Sequence, residues 1–115
     1  MDRNCVDQYG VGRVLTGSGI ATNNSTKNNA CLTADILGDW REEIIWRADD
    51  SSYLRIYSTT YSTDYRIFTL MHDVQYREQV ATQNVSYNQP PNPSFYLGTG
   101  FALPELPNVY AVPAN

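Results

Sequence analysis

Ala34-Asp35-Ile36-Leu37-Gly38-Asp39-Trp40-Arg41-Glu42-Glu43-Ile44-Ile45-Trp46-Arg47 sets three evenly spaced carboxylates, Asp35, Asp39 and Glu43, around a glycine and runs into an apolar strand. Gly38 permits a sharp turn, because a residue without a Cβ enters the left-handed region freely. Calcium takes six to eight hard oxygen ligands. A loop that folds back at Gly38 brings side chains one, five and nine of the pattern toward one another. Leu37 stands where a fuller calcium loop carries Asp or Asn, so only its carbonyl is on offer and water completes the shell. Two readings follow: a calcium site at Asp35, Asp39 and Glu43, or an acidic turn with Glu43 ion-paired to Arg41 or Arg47.

Outward from this loop, the pattern is that of short antiparallel strands. Cys31–Ile36 and Glu43–Arg47 flank it, and Asp49-Asp50-Ser51-Ser52 makes a turn. Tyr53–Ser58 alternates like a half-buried strand, and Tyr65–Met71 reads as a fourth. Residues 76–86 have weak helical spacing and read as a short helix. Tyr87-Asn88-Gln89-Pro90-Pro91-Asn92-Pro93 forbids a regular ladder, since proline has no amide to donate. Ser94–Leu97 reads as a last strand. The expected division is a polar, loop-like stretch or partial blade over 1–30, with strand-like pieces near Gly12–Leu15. A β-unit with closing loops follows over 31–98, and a proline-spaced tail over 99–115.

Size and charge narrow the classes. The 115 residues hold one small domain with a modest core. Tyrosine occurs nine times and strand formers outnumber helix formers, so the expected class is all-β. The net charge of −4 and the absence of a basic run argue against a nucleic-acid partner. Apolar runs are far too short to span a membrane. Met1–Cys5 has no signal-peptide core, which fits a cytosolic protein or a chain that starts partway through a longer secreted one. Cys5 and Cys31 can pair across the glycine-rich stretch between them.

Four blocks together resemble the C-terminal end of the bacterial rhamnogalacturonan lyases, polysaccharide lyase family 11. They are Ala34–Glu43, Leu54-Arg55-Ile56-Tyr57, Tyr65–Asp73 and Tyr87-Asn88-Gln89-Pro90-Pro91, in order and in spacing over roughly residues 17–98. The resemblance implies an antiparallel fragment of an eight-bladed β-propeller built from four-stranded meanders. It further implies calcium ions among the blades, secretion, a monomer at full length, and cleavage of the pectic rhamnogalacturonan I backbone at galacturonate by β-elimination. Family members run to several hundred residues, so the isolated chain is expected to be inactive.

β-Elimination removes the uronate C5 proton and expels the O4-linked sugar. The neighbouring carboxylate must first be neutralised by a cation, and a base must take the proton. Tyr87 is the preferred catalytic candidate, on a proline-stiffened loop. A phenol is a poor base near neutral pH unless a cation stands beside it, and sugar stacking or packing is the alternative role. Asn88 and Gln89 suit sugar hydroxyls. His72, the only histidine, reads as an acid/base oriented by Asp73, a metal ligand, or a packed loop residue. Arg41 is the first choice for a substrate carboxylate, while Arg55 and Arg66 read as cross-strand ion pairs. Trp40 fits a stacking platform or a core. Two other functions stay open: a non-catalytic carbohydrate-binding module, and a calcium-stabilised extracellular β-module.

Overall fold

The computed structural model describes residues 4–7 and 12–114, with backbone only for those before Leu15. Two antiparallel strands open the chain, β1 (Asn4–Asp7) and β2 (Gly12–Thr16). A second antiparallel sheet follows from β3 (Ile20–Ala21), β4 (Leu32–Ala34), β5 (Glu43–Ala48) and β6 (Leu54–Tyr57). Arg47 pairs with Ala21 of β3 and with Leu54 of β6, and Ile45 pairs with Leu32 of β4 and Ile56 of β6. So β3 and β4 share one side of β5, and β6 takes the other. The sheet is three strands wide rather than a four-strand meander.

β5 is central because its apolar residues are buried in sequence. Ile44, Trp46 and Ala48 are 8%, 0% and 0% exposed. Trp46 packs with Ile20, Ala30 and Ile44, and Leu15 and Tyr57 close the cluster. The Tyr57 ring meets Trp46 edge-to-face at 5.3 Å, a favoured aromatic geometry. Gly17 approaches so closely that an added Cβ would stand 2.8 Å from Ile20 Cγ1.

The outer edge of β4 is covered by side chains. The Gln83 amide, 2% exposed, accepts from Thr33 N at 2.9 Å and donates to Thr33 O at 2.5 Å, mimicking a neighbouring strand. Gln83 follows α1 (Val74–Thr82), which begins two residues before the expected helix. Asp73 caps α1 by accepting from Tyr76 N, and its carboxylate also takes Ser94 N and Oγ, drawing the proline loop back to the helix. β6 keeps one side unpaired among the described residues, with Leu54 64% and Ile56 57% exposed.

Two expected strands are corrected. Tyr65–Met71 is extended but pairs with no ladder, and ends in a 3-10 turn at Leu70–His72. It is held instead by Asp35, whose Oδ2 accepts from Thr69 Oγ1 and Leu70 N, both at 2.7 Å. Ser94–Leu97 also lies outside any strand; its first residue, Ser94, is engaged by Asp73. In the tail, the Phe101 ring meets Tyr65 at 5.2 Å.

Candidate functional site

Backbone strain concentrates in two loops. Seven non-glycine residues among those described have left-handed φ, and five of them are Asn24, Ser25, Asn28, Tyr87 and Asn88. Such conformations cost free energy and gather where structure over-determines them, often at functional sites. The first loop is closed by paired backbone bonds between Asn23 and Asn29 and carries a 3-10 turn at Ser25–Lys27. Asparagine tolerates the left-handed region because its short amide bonds locally, so Asn24 and Asn28 can bracket that turn.

The second loop is clamped to the first. Asn24 Nδ2 donates to Tyr87 O at 2.9 Å and to Asn88 Oδ1 at 3.0 Å. Asn29 Nδ2 donates to Tyr87 O at 3.1 Å and Asn88 O at 3.2 Å. Asn88 Nδ2 reaches Cys31 O at 2.8 Å. This clamp presents two side chains to solvent. Tyr87 is 65% exposed, and Lys27 Nζ stands 4.7 Å over the centre of its ring. An exposed ammonium thus stands over the face of an open phenol ring, where it can meet an anionic group.

The expected site residues part company here. Tyr87 sits in this arrangement. Asn88 is corrected: it is 7% exposed and both its amide atoms are engaged within the clamp, so it holds the loops together rather than meeting a sugar. Gln89 is exposed and donates to Tyr87 O at 3.3 Å. His72 lies apart. Its Nδ1 donates to the Thr69 carbonyl at 2.5 Å and its ring stacks on Phe95 at 6.2 Å, so of its open readings the packed loop residue matches these contacts. Cys31 is a free thiol that donates to Asn23 Oδ1, and the side chain of Cys5 lies outside the described residues.

In the acidic loop Gly38 has φ +76, as the turn requires, but the three carboxylates take separate partners. Asp35 binds Thr69 and Leu70. Glu43, fully buried, accepts from Ile36 N, Leu37 N and Ser58 Oγ. Asp39 pairs with Arg41, whose hydrogen bond holds the Asp39 carboxyl below its usual range. Neither alternative partner expected for Glu43, Arg41 or Arg47, forms an ion pair with it among the described residues. No group of three or more His, Cys, Asp or Glu among the described residues is placed to hold a metal ion. Asp35 Oδ1 is buried without a hydrogen-bond partner, and that single oxygen does not make a calcium cage. These residues do not fit the ion as a set. Beside them, Tyr76 accepts from Asp35 N and donates to Glu42 Oε1 at 2.9 Å. Burial raises both groups, and the Glu42 charge raises Tyr76 further.

A groove of about 410 Å³ opens between the Gly38–Arg41 turn and the segment 61–67. Arg41 bridges its walls, bonding Asp39 on one side and the Tyr61 carbonyl at 2.6 Å on the other. Arg66, expected in a cross-strand pair, lines this groove instead because its segment joins no sheet. Trp40 lines it too, rather than a core.

Lys27 is the candidate residue the sequence reading passed over. It lies in an asparagine-rich stretch that looks solvated, and its signal was being the only lysine, set between paired asparagines that can turn left-handed.

Comparison with known proteins places the chain in context. The family model for the rhamnogalacturonan lyase family 11 C-terminal domain matches residues 1–107. The rhamnogalacturonan endolyase YesW of Bacillus subtilis (strain 168) is 53% identical over 115 residues, 96% of this chain and 18% of YesW. The rhamnogalacturonan exolyase YesX of the same strain is 56% identical over 97 residues, 84% of this chain and 16% of YesX. The crystal structure of YesW superposes with a TM-score of 0.80 at 55% identity, covering 90% of this chain and 18% of that one. The chain therefore spans less than a fifth of the length of these relatives.

Proposed function

Because this chain belongs to rhamnogalacturonan lyase family 11, as its C-terminal domain, we propose that it supplies part of the active site of an enzyme that cleaves rhamnogalacturonan by β-elimination. The observation that carries this reading is Lys27 Nζ fixed 4.7 Å over the exposed Tyr87 ring. The ammonium pairs with the galacturonate carboxylate and draws off charge, so that the C5 proton becomes acidic and the enolate-like charge is stabilised as it forms. Tyr87 handles a proton: as the phenolate it takes the one from C5, or as the phenol it gives its own to the leaving O4. Asn24, Asn29 and Asn88 hold both groups in register, and positioning of this kind is worth orders of magnitude in rate.

The rest of the reading concerns the whole enzyme. The β3–β6 sheet belongs to one blade of a propeller, three strands wide here because β3 and β4 share a side of β5. Secretion and calcium among the blades are further parts of it, drawn from the family resemblance. No catalytic step in this segment is assigned to a metal, since Asp35, Asp39 and Glu43 have other partners. The endolyase and the exolyase match this stretch at 53% and 56% identity, so overall similarity does not assign a mode of attack to this chain.

The test is made in a full-length family member, at the positions aligned with Lys27 and Tyr87. Tyr87→Phe keeps the ring and removes the hydroxyl. Turnover, followed by the ultraviolet absorbance of the unsaturated uronate, is expected to fall at least about a hundredfold with the melting temperature unchanged. Full activity of both Tyr87→Phe and Lys27→Gln would sink the proposed chemistry.

A further inference from the structure

We propose that the groove between the Gly38–Arg41 turn and residues 61–67 is a second saccharide subsite, which takes a uronate residue of the polymer away from the Lys27–Tyr87 pair. The choice of sugar rests on the lyase reading above. The existence of an anion-selective site does not.

Three features point to a bound sugar acid. First, the volume of about 410 Å³ falls within the roughly 300–1,000 Å³ typical of small-molecule clefts. Second, the walls bring aromatic faces together in the open. Tyr61 is 85% and Tyr65 54% exposed, and Trp40 joins them. Sugar rings present C–H faces that stack on such rings, and their hydroxyls meet the polar tips that Tyr and Trp carry. Third, the charges are unequal. Arg41 is neutralised by Asp39, whereas Arg66 has no hydrogen-bond or ion-pair partner among the described residues. That guanidinium, which also lines a second, small cavity together with Glu105, lies in a concave aromatic setting and is suited to a bidentate carboxylate contact.

The groove is also built rather than incidental. Trp40 is held at φ +69, a conformation that costs energy for a bulky residue. The Arg41 bridge ties the two walls together, and the Phe101 ring packs against Tyr65.

The experiment uses the 115-residue chain and follows the Trp40 and Trp46 indole resonances during titration with tri-galacturonate, with neutral galactotriose in parallel. The expected result is a saturable shift of the Trp40 signal with the acid sugar alone, leaving buried Trp46 unmoved. Arg66→Gln is expected to weaken that binding at least about tenfold, with Arg66→Lys recovering part of it, and Tyr61→Ala to weaken it too. Both side chains are exposed, so the variants keep the fold. Lys27→Gln is expected to leave the Trp40 titration unchanged. The subsite is overturned by an unmoved Trp40 signal, by Arg66→Gln binding like the parent, or by equal binding of the neutral sugar. Loss of the Trp40 shift in Lys27→Gln would also overturn it, by assigning binding to the other site. In the whole enzyme Arg66→Gln should raise KM and spare kcat. Inactivity of the Tyr87 and Lys27 variants with no change in KM on Arg66→Gln would remove the subsite and keep the chemistry, and the reverse pattern would do the opposite.

Discussion

The asparagine loop, residues 23–29, and the acidic loop, residues 35–43, are similar in length, and each binds a distant part of the chain, yet they use polar side chains in opposite ways. The acidic loop turns two of its carboxylates, Asp35 and Glu43, inward. Glu43 and Asp35 accept from backbone amides at Ile36, Leu37 and Leu70, so they stitch the sheet to the loops around it. The asparagine loop binds through neutral amides to the Tyr87–Asn88 backbone and so leaves its cation and the facing ring open. A buried carboxylate bonded to amides is scaffold even where its spacing resembles a metal loop. Charge left exposed on a strained, well-held loop stays available to a ligand.

The comparison breaks first at Glu43. Glu43→Ala leaves two amides and the Ser58 hydroxyl without their acceptor, at a cost of about 3 kcal/mol or more. A urea melt measures it, with and without calcium. Equal losses in both keep Glu43 as scaffold. A loss seen only with calcium would turn the acidic loop back into a metal site. Asn88→Ala tests the other loop and is expected to cost about 2 kcal/mol, because Cys31 O, Asn23 and Asn24 lose their partner. It should also broaden the Tyr87 signals. An unchanged urea midpoint would show that the clamp is not what holds Tyr87.

Much of the sheet was legible from periodicity, and the exceptions have physical causes. Glu43–Arg47 was legible as an apolar run and Tyr53–Ser58 by alternation, and both contain strands, although in β6 it is Tyr57 that meets the core while Leu54 and Ile56 face outward. Tyr65–Met71 has the same residue types but no ladder neighbour among the described residues, so Asp35 and Phe101 hold it as extended chain. β3 has only two residues and sits among glycines, too short to show a period. At the site, Tyr87 was legible because prolines stiffen its loop, whereas Lys27 was not, since the partner that gives it meaning is 60 residues away. Asp35, Asp39 and Glu43 show the limit of spacing: it records which groups lie near one turn, not which hydrogen bonds they will accept.

A smaller effect distinguishes the two loops by pH. Burial favours the neutral form of Glu42, helped by the nearby charges of Asp35 and Glu43, so its folded pKa stands above the ordinary 4.5. The associated stabilisation is complete below that ordinary value and is lost as pH rises through the raised one. At neutral pH the ionised carboxylate is therefore a cost. Glu42→Gln keeps an acceptor for Tyr76 and removes the charge, so it is expected to gain about 1 kcal/mol near pH 7 and nothing near pH 4. Thermal melts across that range decide it. A variant destabilised at neutral pH would mean that Glu42 is needed as a charge. The asparagine loop, anchored by amides, should show no such slope.

The smallest expected change in stability belongs to Lys27→Gln, and its smallness is informative. Lys27 is exposed, and an exposed cation–π contact contributes about 0.5–1 kcal/mol at most. The loop itself is held by Asn24, Asn29 and the Asn23–Asn29 backbone pair, none of which the substitution touches. The urea midpoint should therefore move by less than Asn88→Ala moves it, while turnover in the full-length enzyme falls far more than any stability loss can explain. Tyr87→Phe should behave alike, since the ring under the ammonium remains. If Lys27→Gln unfolds the loop as Asn88→Ala does, the lysine is one more clamp and the contrast between the two loops disappears. If it leaves both stability and turnover intact, the exposed pair is only surface, and the chemistry must come from the part of the enzyme that this segment does not contain.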